Sequence, residues 1–358
     1  MMENDYINIV LTADNNYTKV IGIAMTSILE NLDKNKIARF YIFTYKFTQD
    51  DFKQINKLKN KYNCKIMFIA MEKHIHNFDF INESDFKNKW ISKACYFRLL
   101  MFDILPDYIE KCFFVDGDMI IDCDLSQVIL NEDKIFLAVP EIYAMQNREK
   151  VLSHCYKLPE FEKFQQNPIE NSYFNAGFYL VNLKKTRKLK IYEQILDLLH
   201  KYPTLPYCDQ DLLNMIFGQK YRENIEFISP EYNVFTLINY SDDYSNTPFG
   251  LDKIKYAFEK PKIIHYAGLE KPWNTCKIVH HEERWWDYYK ISPWGKDYVI
   301  KKLSIWFKSK NGLKKLIQLI FSIKNEDIWK VITILGIKIK FKTERLIERN
   351  DKCKNPLT

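Results

Sequence analysis

The stretch CFFVDGDMII, residues 112–121, is an apolar run interrupted by Asp116, Gly117 and Asp118. The apolar residues on both sides are typical of a buried β-strand. Because glycine permits a tight bend, the two carboxylates at the end of the strand can turn toward one small volume. Carboxylate oxygens suit Mg²⁺ or Mn²⁺, ions that bridge to substrate phosphates. A polar turn after a strand has the same composition, so the motif alone leaves both interpretations open.

Apolar runs and helical periodicities alternate on either side of this stretch. Strands are predicted at residues 7–11, 39–45, 65–70, 136–139, 173–183 and 263–266. Helices are predicted at residues 19–32, 52–58, 92–105, 184–200 and 208–217. Thr48 and Asp51 occupy the N-cap and third positions of the second helix. This alternation predicts an α/β fold with a mostly parallel central sheet, in which ligands bind at the carboxyl ends of the strands.

The last predicted strand ends at His265, and Lys271 follows in HYAGLEKPW. A neutral imidazole could complete a metal site with Asp116 and Asp118, and it would favour Mn²⁺ over Mg²⁺. Lys271 would then reach the same phosphates. A histidine in this position is otherwise a hydrogen-bonded structural residue, and that interpretation stays open as well.

Polar residues in two further apolar stretches are candidates for binding a substrate. Asn175 stands in an apolar stretch beside Ala176 and a glycine, where small residues let a ligand approach the backbone and the amide can reach a sugar hydroxyl. A β-bulge at the glycine is the alternative. Asp209 and Gln210 open a predicted helix, where helix capping explains one carboxylate but not the amide. Arg98 could form a surface ion pair or face a carboxylate such as Asp209.

Composition limits the class of protein. The chain has 358 residues, of which 47% are hydrophobic, enough for one large core. We expect neither a membrane span nor export, because no run of about 18 apolar residues occurs and the start MMENDYINIV lacks a secretory signal pattern. The eight cysteines form no Cys-x-x-Cys pair, which favours reduced thiols over disulfides or zinc. These features predict a cytoplasmic protein.

The C-terminal tail differs in charge from the rest of the chain. Residues 301–358 hold 15 Lys and Arg against 5 Asp and Glu, a net charge of +10, whereas the whole chain carries +7. A basic, apolar tail favours attachment to an anionic membrane surface and not nucleic-acid binding along the whole protein. We therefore predict a domain at 1–290 and a basic extension at 291–358. Residues 298–323 suit an amphipathic helix on lipid, or equally a helix packed on the first domain, and residues 331–341 are β-like.

In their order along the chain, these motifs resemble glycosyltransferase family 8, which contains glycogenin and the bacterial lipopolysaccharide galactosyl- and glucosyltransferases. The resemblance runs from about residue 8 to residue 273. The motifs FVDGDMII and HYAGLEKPW imply a metal site made of Asp116, Asp118 and His265. TADNNY resembles the nucleotide-binding loop of the family and implies contacts to uridine and ribose by Ala13, Asp14, Asn16 and Tyr17.

The same resemblance implies roles around the donor sugar. YFRL implies a sugar contact by Arg98, and FNAGFYLVNLKK implies sugar contacts by Asn175 and Ala176. DQDLLN implies that Asp209 holds sugar hydroxyls and that Gln210 lies beside the reacting carbon. Contacts to the diphosphate are implied for Gly268 and Lys271, and Asp116 is implied as a donor-binding residue as well as a metal ligand.

The activity implied is that of a retaining transferase in lipopolysaccharide or lipooligosaccharide synthesis. It would move galactose or glucose from a UDP-sugar to a glycan or glycolipid acceptor, with Mn²⁺, or Mg²⁺, as cofactor. The fold implied for residues 1–290 is a single Rossmann-like nucleotide-binding domain of the GT-A type. Because the lipopolysaccharide branch tends to carry basic, membrane-associating C-termini, we expect the protein at the inner face of the cytoplasmic membrane.

The amide of Gln210 bears on the mechanism. An amide is a poor nucleophile compared with a carboxylate, so we favour attack by the acceptor hydroxyl on the face that UDP leaves, with a diphosphate oxygen taking the proton. Transient attack by Asp209 is the less favoured route. Two other classes of protein are alternatives. One is a phosphatase with an aspartyl nucleophile at Asp116 and Asp118, which needs Thr or Val where Ile120 stands, and the other is a non-catalytic sugar-binding protein.

Overall fold

Parallel strands dominate the larger of two sheets in the first part of the chain. The strands are β1 Tyr6–Asp14, β2 Ile37–Tyr45, β3 Cys64–Ala70, β4 Lys111–Val115, β5 Met119–Ile121, β6 Phe136–Pro140, β7 Phe174–Asn182, β8 Ile225–Phe227, β9 Val234–Phe235 and β10 Ile263–His265. The central sheet has the order β3-β2-β1-β4-β7-β6-β8. Only β7 runs antiparallel to its neighbours. The predicted α/β fold with a mostly parallel sheet is confirmed.

A second, three-stranded sheet has the order β5-β10-β9. In it β10 pairs antiparallel with β5, which places His265 opposite Met119. The predicted strand at 112–121 is therefore two strands in two different sheets, divided at the Asp-Gly-Asp break. The break lies where the two sheets meet.

Helices cover both faces of the central sheet. They are α1 Thr18–Asn31, α2 Gln49–Asn56, α3 Met101–Ile104, α4 Ile142–Gln146, α5 Arg148–Val151, α6 Glu162–Gln166, α7 Leu183–Lys188, α8 Ile191–Lys201, α9 Cys208–Leu213, α10 Leu251–Glu259 and α11 Glu282–Ile291. Alternate residues of β1 pack on opposite faces, with Ile9 and Leu11 in the cluster that includes α1 and Val10 in the cluster that includes α8. The predicted capping box at Thr48 and Asp51 is present at α2.

Three predicted helices differ in detail. Residues Lys93–Leu100 form a 3₁₀-helix before α3, so Arg98 lies on a tighter turn than predicted. The helix predicted at 184–200 is broken at Lys190, whose φ of 50° is left-handed. The helix predicted at 208–217 ends as α-helix at Leu213 and continues as the π-helix Asn214–Lys220. There the Asn214 amide bonds both backbone groups of Phe174, which ties the helix to β7.

The computed structural model describes residues 5–81, 93–236, 244–275, 277–307, 321–326, 329–334 and 337–342. The chain divides into two compact units, Met1–Pro272 with Ile278–Lys296, and Trp273–Lys277 with Asp297–Thr358. No helix among these residues is long and apolar enough to cross a membrane.

The described residues of the second unit include an α-helix and a small antiparallel sheet. They are α12 Tyr298–Phe307, β11 Phe321–Glu326, β12 Trp329–Ile334 and β13 Ile337–Lys342. The amphipathic helix predicted over 298–323 is correct only for its beginning: residues 321–323 belong to β11, and residues 308–320 lie outside the described part. The β-character predicted for residues 331–341 is confirmed for 331–334 and 337–341, and residues 335–336 lie outside the described part.

Candidate active site

Most of the predicted site residues lie at one edge of the central sheet. Asp14 ends β1 and Asp116 follows β4, and these two strands are parallel, so both carboxylates lie at the same edge. Since β7 is antiparallel to β4, its first residues reach that edge too, and they include Asn175 and Ala176. The backbone N–H of Asp116 donates to the carbonyl of Gly177 at 2.8 Å. The topology thus brings together residues that are about 160 positions apart in sequence.

Asp116, Asp118 and His265 form a cluster whose ligand atoms all lie within 4.8 Å of one another. Nε2 of His265 is 3.3 Å from Oδ1 of Asp118 and 3.9 Å from Oδ2 of Asp116. Adjacent ligands of an octahedral ion with bonds of about 2.1 Å lie about 3 Å apart, so these separations suit a divalent ion with a small adjustment. The side chains are mostly buried, with exposures of 22%, 15% and 6% in the order given. The donor set of two carboxylates and one imidazole therefore fits a metal ion.

Two glycines near this cluster allow close packing, Gly177 against the cluster itself and Gly117 against α1. A Cβ on Gly177 would lie 2.7 Å from Cε1 of His265 and 2.8 Å from Oδ2 of Asp116. The register of β6 with β7 shifts here: Ala138 pairs with Tyr179 but Pro140 pairs with Phe174, so the irregularity covers residues 175–178 of β7 and includes Gly177, where a β-bulge was the alternative. A Cβ on Gly117 would lie 2.6 Å from Cγ2 of Ile21 on α1. Gly117 is thus needed for close approach of α1, a reason that the sequence did not indicate.

Arg98 joins the cluster to a second buried carboxylate. One terminal nitrogen lies 2.9 Å from Oδ1 of Asp116, and the other donates to the carbonyl of Ala176 at 2.6 Å. Nε of Arg98 is 2.9 Å from Oδ2 of Asp209, an ion pair without hydrogen-bond alignment. Burial raises the pKa of Asp209 to about 7, against the lowering effect of Arg98. The ion pair with Asp209, one of two alternatives for Arg98, is present in the structure.

Lys271 faces the other side of the cluster. Its ammonium group lies 2.5 Å from Oδ2 of Asp118 and also donates to the carbonyl of Tyr266. Burial alone would raise the pKa of Asp118, but the charge of Lys271 holds it well below its usual range. Gly268, three residues before Lys271, has a φ of 86°, which favours glycine. A cation therefore already lies beside the carboxylates, where an anionic ligand would need one.

The loop after β1 is organised around Asp14. Its Oδ1 accepts from the backbone N–H groups of Asn16 at 3.0 Å and Tyr17 at 3.1 Å. Ala13 is buried, whereas Tyr17 is 37% exposed. Burial, followed by the charges of Asp118 and Asp116, raises the pKa of Tyr17 well above its usual value. The electrostatic influence of both carboxylates on the Tyr17 hydroxyl connects this loop with the metal cluster.

Gln210 is held on both ends of its amide. Its Oε1 accepts from Nδ2 of Asn175 at 2.8 Å and from the backbone N–H of Ala176 at 3.0 Å. Its Nε2 donates to Oε2 of Glu141 at 2.6 Å. Burial raises the pKa of Glu141 to about 7. The amide therefore has one orientation, fixed by a backbone donor on one side and a carboxyl group on the other.

Sequence reasoning missed Glu141 and a second residue, Asn233. Glu141 follows directly after β6, which ends at the same edge as β4, so its position after an apolar strand was a usable signal. Asn233 precedes the two-residue strand β9, and no pattern in the sequence indicates a strand that short. Oδ1 of Asn233 lies 3.0 Å from Nδ1 of His265, on the side of the ring away from the carboxylates.

Helix α11 and its N-cap residue bind the residues that directly follow β5 and β10, two of the three strands of the small sheet. Arg284 forms a two-point ion pair with Asp122, the residue after β5, with distances of 2.6 and 2.6 Å. The Tyr288 hydroxyl donates to the same carboxylate. Tyr266, the residue after β10, donates its hydroxyl to the carbonyl of His281 at 2.6 Å. Both strands that bring carboxylate and imidazole together are thus anchored to α11.

Comparison with sequence models of protein families identifies the family of this chain. The sequence model of glycosyl transferase family 8 matches residues 8–277, about three quarters of the chain. The chain belongs to glycosyl transferase family 8. The resemblance in the sequence motifs is thereby confirmed, and the phosphatase interpretation of Asp116 and Asp118 is wrong for a member of this family.

Relatives of this family-8 protein cover most of its length. It is 23% identical over 300 residues to general stress protein A of Bacillus subtilis, and the aligned region covers 82% of this chain and 96% of the relative. It is 28% identical over 303 residues to the lipopolysaccharide 1,2-glucosyltransferase of Escherichia coli K12, spanning 82% and 80% of the two chains. The crystal structure of the galactosyltransferase LgtC has a TM-score of 0.59 at 20% identity, covering 80% of this chain and 96% of that one. The fold is of the GT-A type, as expected.

Proposed function

We propose that this glycosyltransferase moves a hexose from a UDP-sugar to a glycan acceptor, with retention at the anomeric carbon and with Mn²⁺ as its ion. The observation that carries the proposal is the buried cluster of Asp116, Asp118 and His265 with Lys271 at its side. These three ligands would hold the ion, and an ion there would supply positive charge to a diphosphate leaving group. The imidazole favours Mn²⁺ over Mg²⁺.

The surrounding residues support a division of the site into nucleotide and sugar parts. The loop after β1 would contact uridine and ribose through Ala13, Asp14, Asn16 and Tyr17. Lys271 and the backbone at Gly268 would bind the diphosphate, since an ammonium group and a backbone N–H donate hydrogen bonds that phosphate oxygens accept. The donor sugar would lie against Arg98, Asn175, Ala176 and Asp209.

The route by which configuration would be retained is inferred from what Gln210 and Asp209 are able to do. Both hydrogen bonds accepted by Oε1 of Gln210 engage its lone pairs, which makes an already weak nucleophile weaker. Asp209 is paired with Arg98 and buried, so its carboxylate is not free for attack. The acceptor hydroxyl would attack on the face that UDP leaves, and its proton would pass to a diphosphate oxygen. The Gln210 carbonyl and nearby dipoles would stabilise the oxocarbenium-like carbon.

The acceptor class is proposed from relatives. Lipopolysaccharide glucosyltransferases of E. coli are among them, which supports a glycan of the lipopolysaccharide or lipooligosaccharide type. Galactose and glucose remain equal candidates as donor sugars, since they differ at one stereocentre. Attachment to the inner face of the cytoplasmic membrane through residues 291–358 is proposed from the basic charge of that segment.

A donor panel tests the proposal. Purified protein is given UDP-galactose, UDP-glucose, UDP-N-acetylglucosamine or GDP-mannose with Mn²⁺, and released nucleotide is measured with and without a chelator. We expect release from one UDP-hexose only, and loss of release on chelation. NMR of the product should show the anomeric configuration of the donor. An inverted product, or equal release with the ion removed, would refute the mechanism proposed.

A further inference from the structure

Four hydrogen bonds join Glu141 to His265 through three side-chain amides, a set that we name the amide chain. Nε2 of Gln210 donates to Glu141 at 2.6 Å, and Nδ2 of Asn175 donates to Oε1 of Gln210 at 2.8 Å. Nδ2 of Asn233 then donates to Oδ1 of Asn175 at 2.9 Å, and Oδ1 of Asn233 faces Nδ1 of His265 at 3.0 Å. Glu141, Asn175, Asn233 and His265 are each at most 8% exposed, so water competes little for these groups.

The direction of the amide chain is determined by groups that can act in only one way. The backbone N–H of Ala176 donates to Gln210, and that of Gly177 donates to Asn175 at 2.9 Å. A backbone N–H cannot accept, so each contact identifies the oxygen of the amide that it touches. Asn233 must then turn its NH₂ group toward the oxygen of Asn175. Its own oxygen is left facing the imidazole.

This orientation decides the state of the ring. An amide oxygen only accepts, so Nδ1 of His265 must carry the hydrogen, and in the neutral ring Nε2 then has a lone pair. That lone pair faces Asp118 and Asp116, with 3.3 Å to the nearer carboxylate oxygen. The lone pair and the two carboxylates then face one volume, and a divalent cation would complete this donor set.

We propose that Asn233 is a positioning residue that holds His265 in the Nδ1–H tautomer and thereby prepares the cluster for a divalent cation. The inference deepens the proposed function, since the cation is the one assigned there to the diphosphate. The amide chain also connects the two halves of that site, because the same hydrogen bonds fix Gln210 beside the reacting carbon. Hydrogen-bond partners of metal-bound histidines typically change metal affinity by about 10- to 100-fold.

The test compares two substitutions of one residue. Asn233→Ala removes the acceptor at Nδ1, so we expect Mn²⁺ to bind about 10- to 100-fold more weakly. Asn233→Asp keeps an acceptor for Nδ1 but places an oxygen against Oδ1 of Asn175, so it should bind Mn²⁺ nearly as well as the native protein while unfolding at a lower temperature. Asn182→Ala is the matched control, because Asn182 is also 8% exposed or less but lies at the far end of β7. Electron paramagnetic resonance of free Mn²⁺ measures the affinity.

Loss of affinity in both Asn233 variants in proportion to their loss of stability would show a merely structural role and overturn the proposal. Unchanged affinity in Asn233→Ala would overturn it as well. If Asn233→Ala does not fold, long-range ¹H–¹⁵N spectra of the native, metal-free protein labelled in histidine decide the matter at a pH where imidazoles are neutral. An Nε2–H signal for His265 refutes the proposal, and an Nδ1–H signal supports it. Failure of the native protein to bind Mn²⁺ would refute the proposed metal function separately, since the tautomer is measured without metal.

Discussion

Gly177→Ala is the substitution that tests the metal cluster without changing any ligand. The added Cβ would lie 2.7 Å from Cε1 of His265, 2.7 Å from Cε of Met119 and 2.8 Å from Oδ2 of Asp116. Carbon atoms in ordinary contact are about 3.5 Å or more apart, so each neighbour must move by about 0.8 Å. The backbone of Gly177 cannot withdraw easily, because it lies inside β7 and accepts from the N–H of Asp116.

The neighbours differ in how readily they move. The methyl of Met119 ends a flexible side chain, but His265 is held by Asn233 and Asp116 by Arg98. Metal sites tolerate displacements of about 0.2 Å in ligand distances, so we expect Mn²⁺ affinity to fall at least about tenfold. The cost in stability should be about 1–3 kcal/mol, as for other overpacked sites.

Two measurements check this result. Mn²⁺ titration of UDP release should show a higher half-saturating concentration in Gly177→Ala, and thermal unfolding should show the modest loss of stability. Gly250→Ala is the control, since a Cβ there has nothing within 4 Å. Native Mn²⁺ affinity in a folded Gly177→Ala protein would refute the placement of the ion between Asp116 and His265.

Further substitutions test the other parts of the site and the tail. Asp118→Asn should abolish Mn²⁺-dependent turnover in a folded protein, and turnover near the native level would remove Asp118 from the metal site. Gln210→Ala should slow transfer on the order of a hundredfold without ending it, as expected for loss of one charge-stabilising group, and a covalent glycosyl adduct on Gln210 in mass spectra would contradict its role. Truncation after Lys296, at the division between the two units, should end salt-sensitive binding to anionic vesicles but keep activity on a soluble acceptor; equal vesicle binding by both forms would argue against a membrane role. Burial raises the pKa of Glu141 from 4.5 to about 7. Between these two pH values the folded state binds a proton that the unfolded state has lost. The free energy of unfolding should therefore fall as pH rises from 4.5 to about 7, by up to about 3 kcal/mol. Glu141→Gln should remove this part of the pH dependence of urea unfolding. If the free energy of unfolding depends on pH in the same way in both proteins, Glu141 ionises as it would in water.

The strands and the place of the two aspartates could be predicted because their signals are local. Apolar runs that end in charged residues identify the strands, and Asp116 and Asp118 stand where such a run breaks. His265 could be added because it ends a strand of its own. What brings these residues together is the pairing of β10 with β5, which is decided by contacts across more than 140 residues of chain. No periodicity in the sequence contains that information.

Other features depend on tertiary contacts and were therefore mispredicted or missed. The break at Lys190 needs a left-handed backbone that apolar spacing does not reveal. The turn around Arg98 is tighter than an α-helix at the point where its guanidinium meets Asp116, Asp209 and a carbonyl. Asn233 is polar and beside a very short strand, so its role becomes visible only when the hydrogen bonds are followed from one amide to the next.

The anchoring of β5 and β10 by α11 means that residues outside the cluster help to set its geometry. The match to the family ends at residue 277, whereas Arg284 and Tyr288 on α11 lie beyond it and still hold the carboxylate that follows β5. Residues beyond the range that the family model matches thus bear on the alignment of the strands that carry Asp118 and His265. Exchanging Arg284 or Tyr288 should therefore alter how Asp118 and His265 face each other, although Asp116, Asp118 and His265 themselves stay the same.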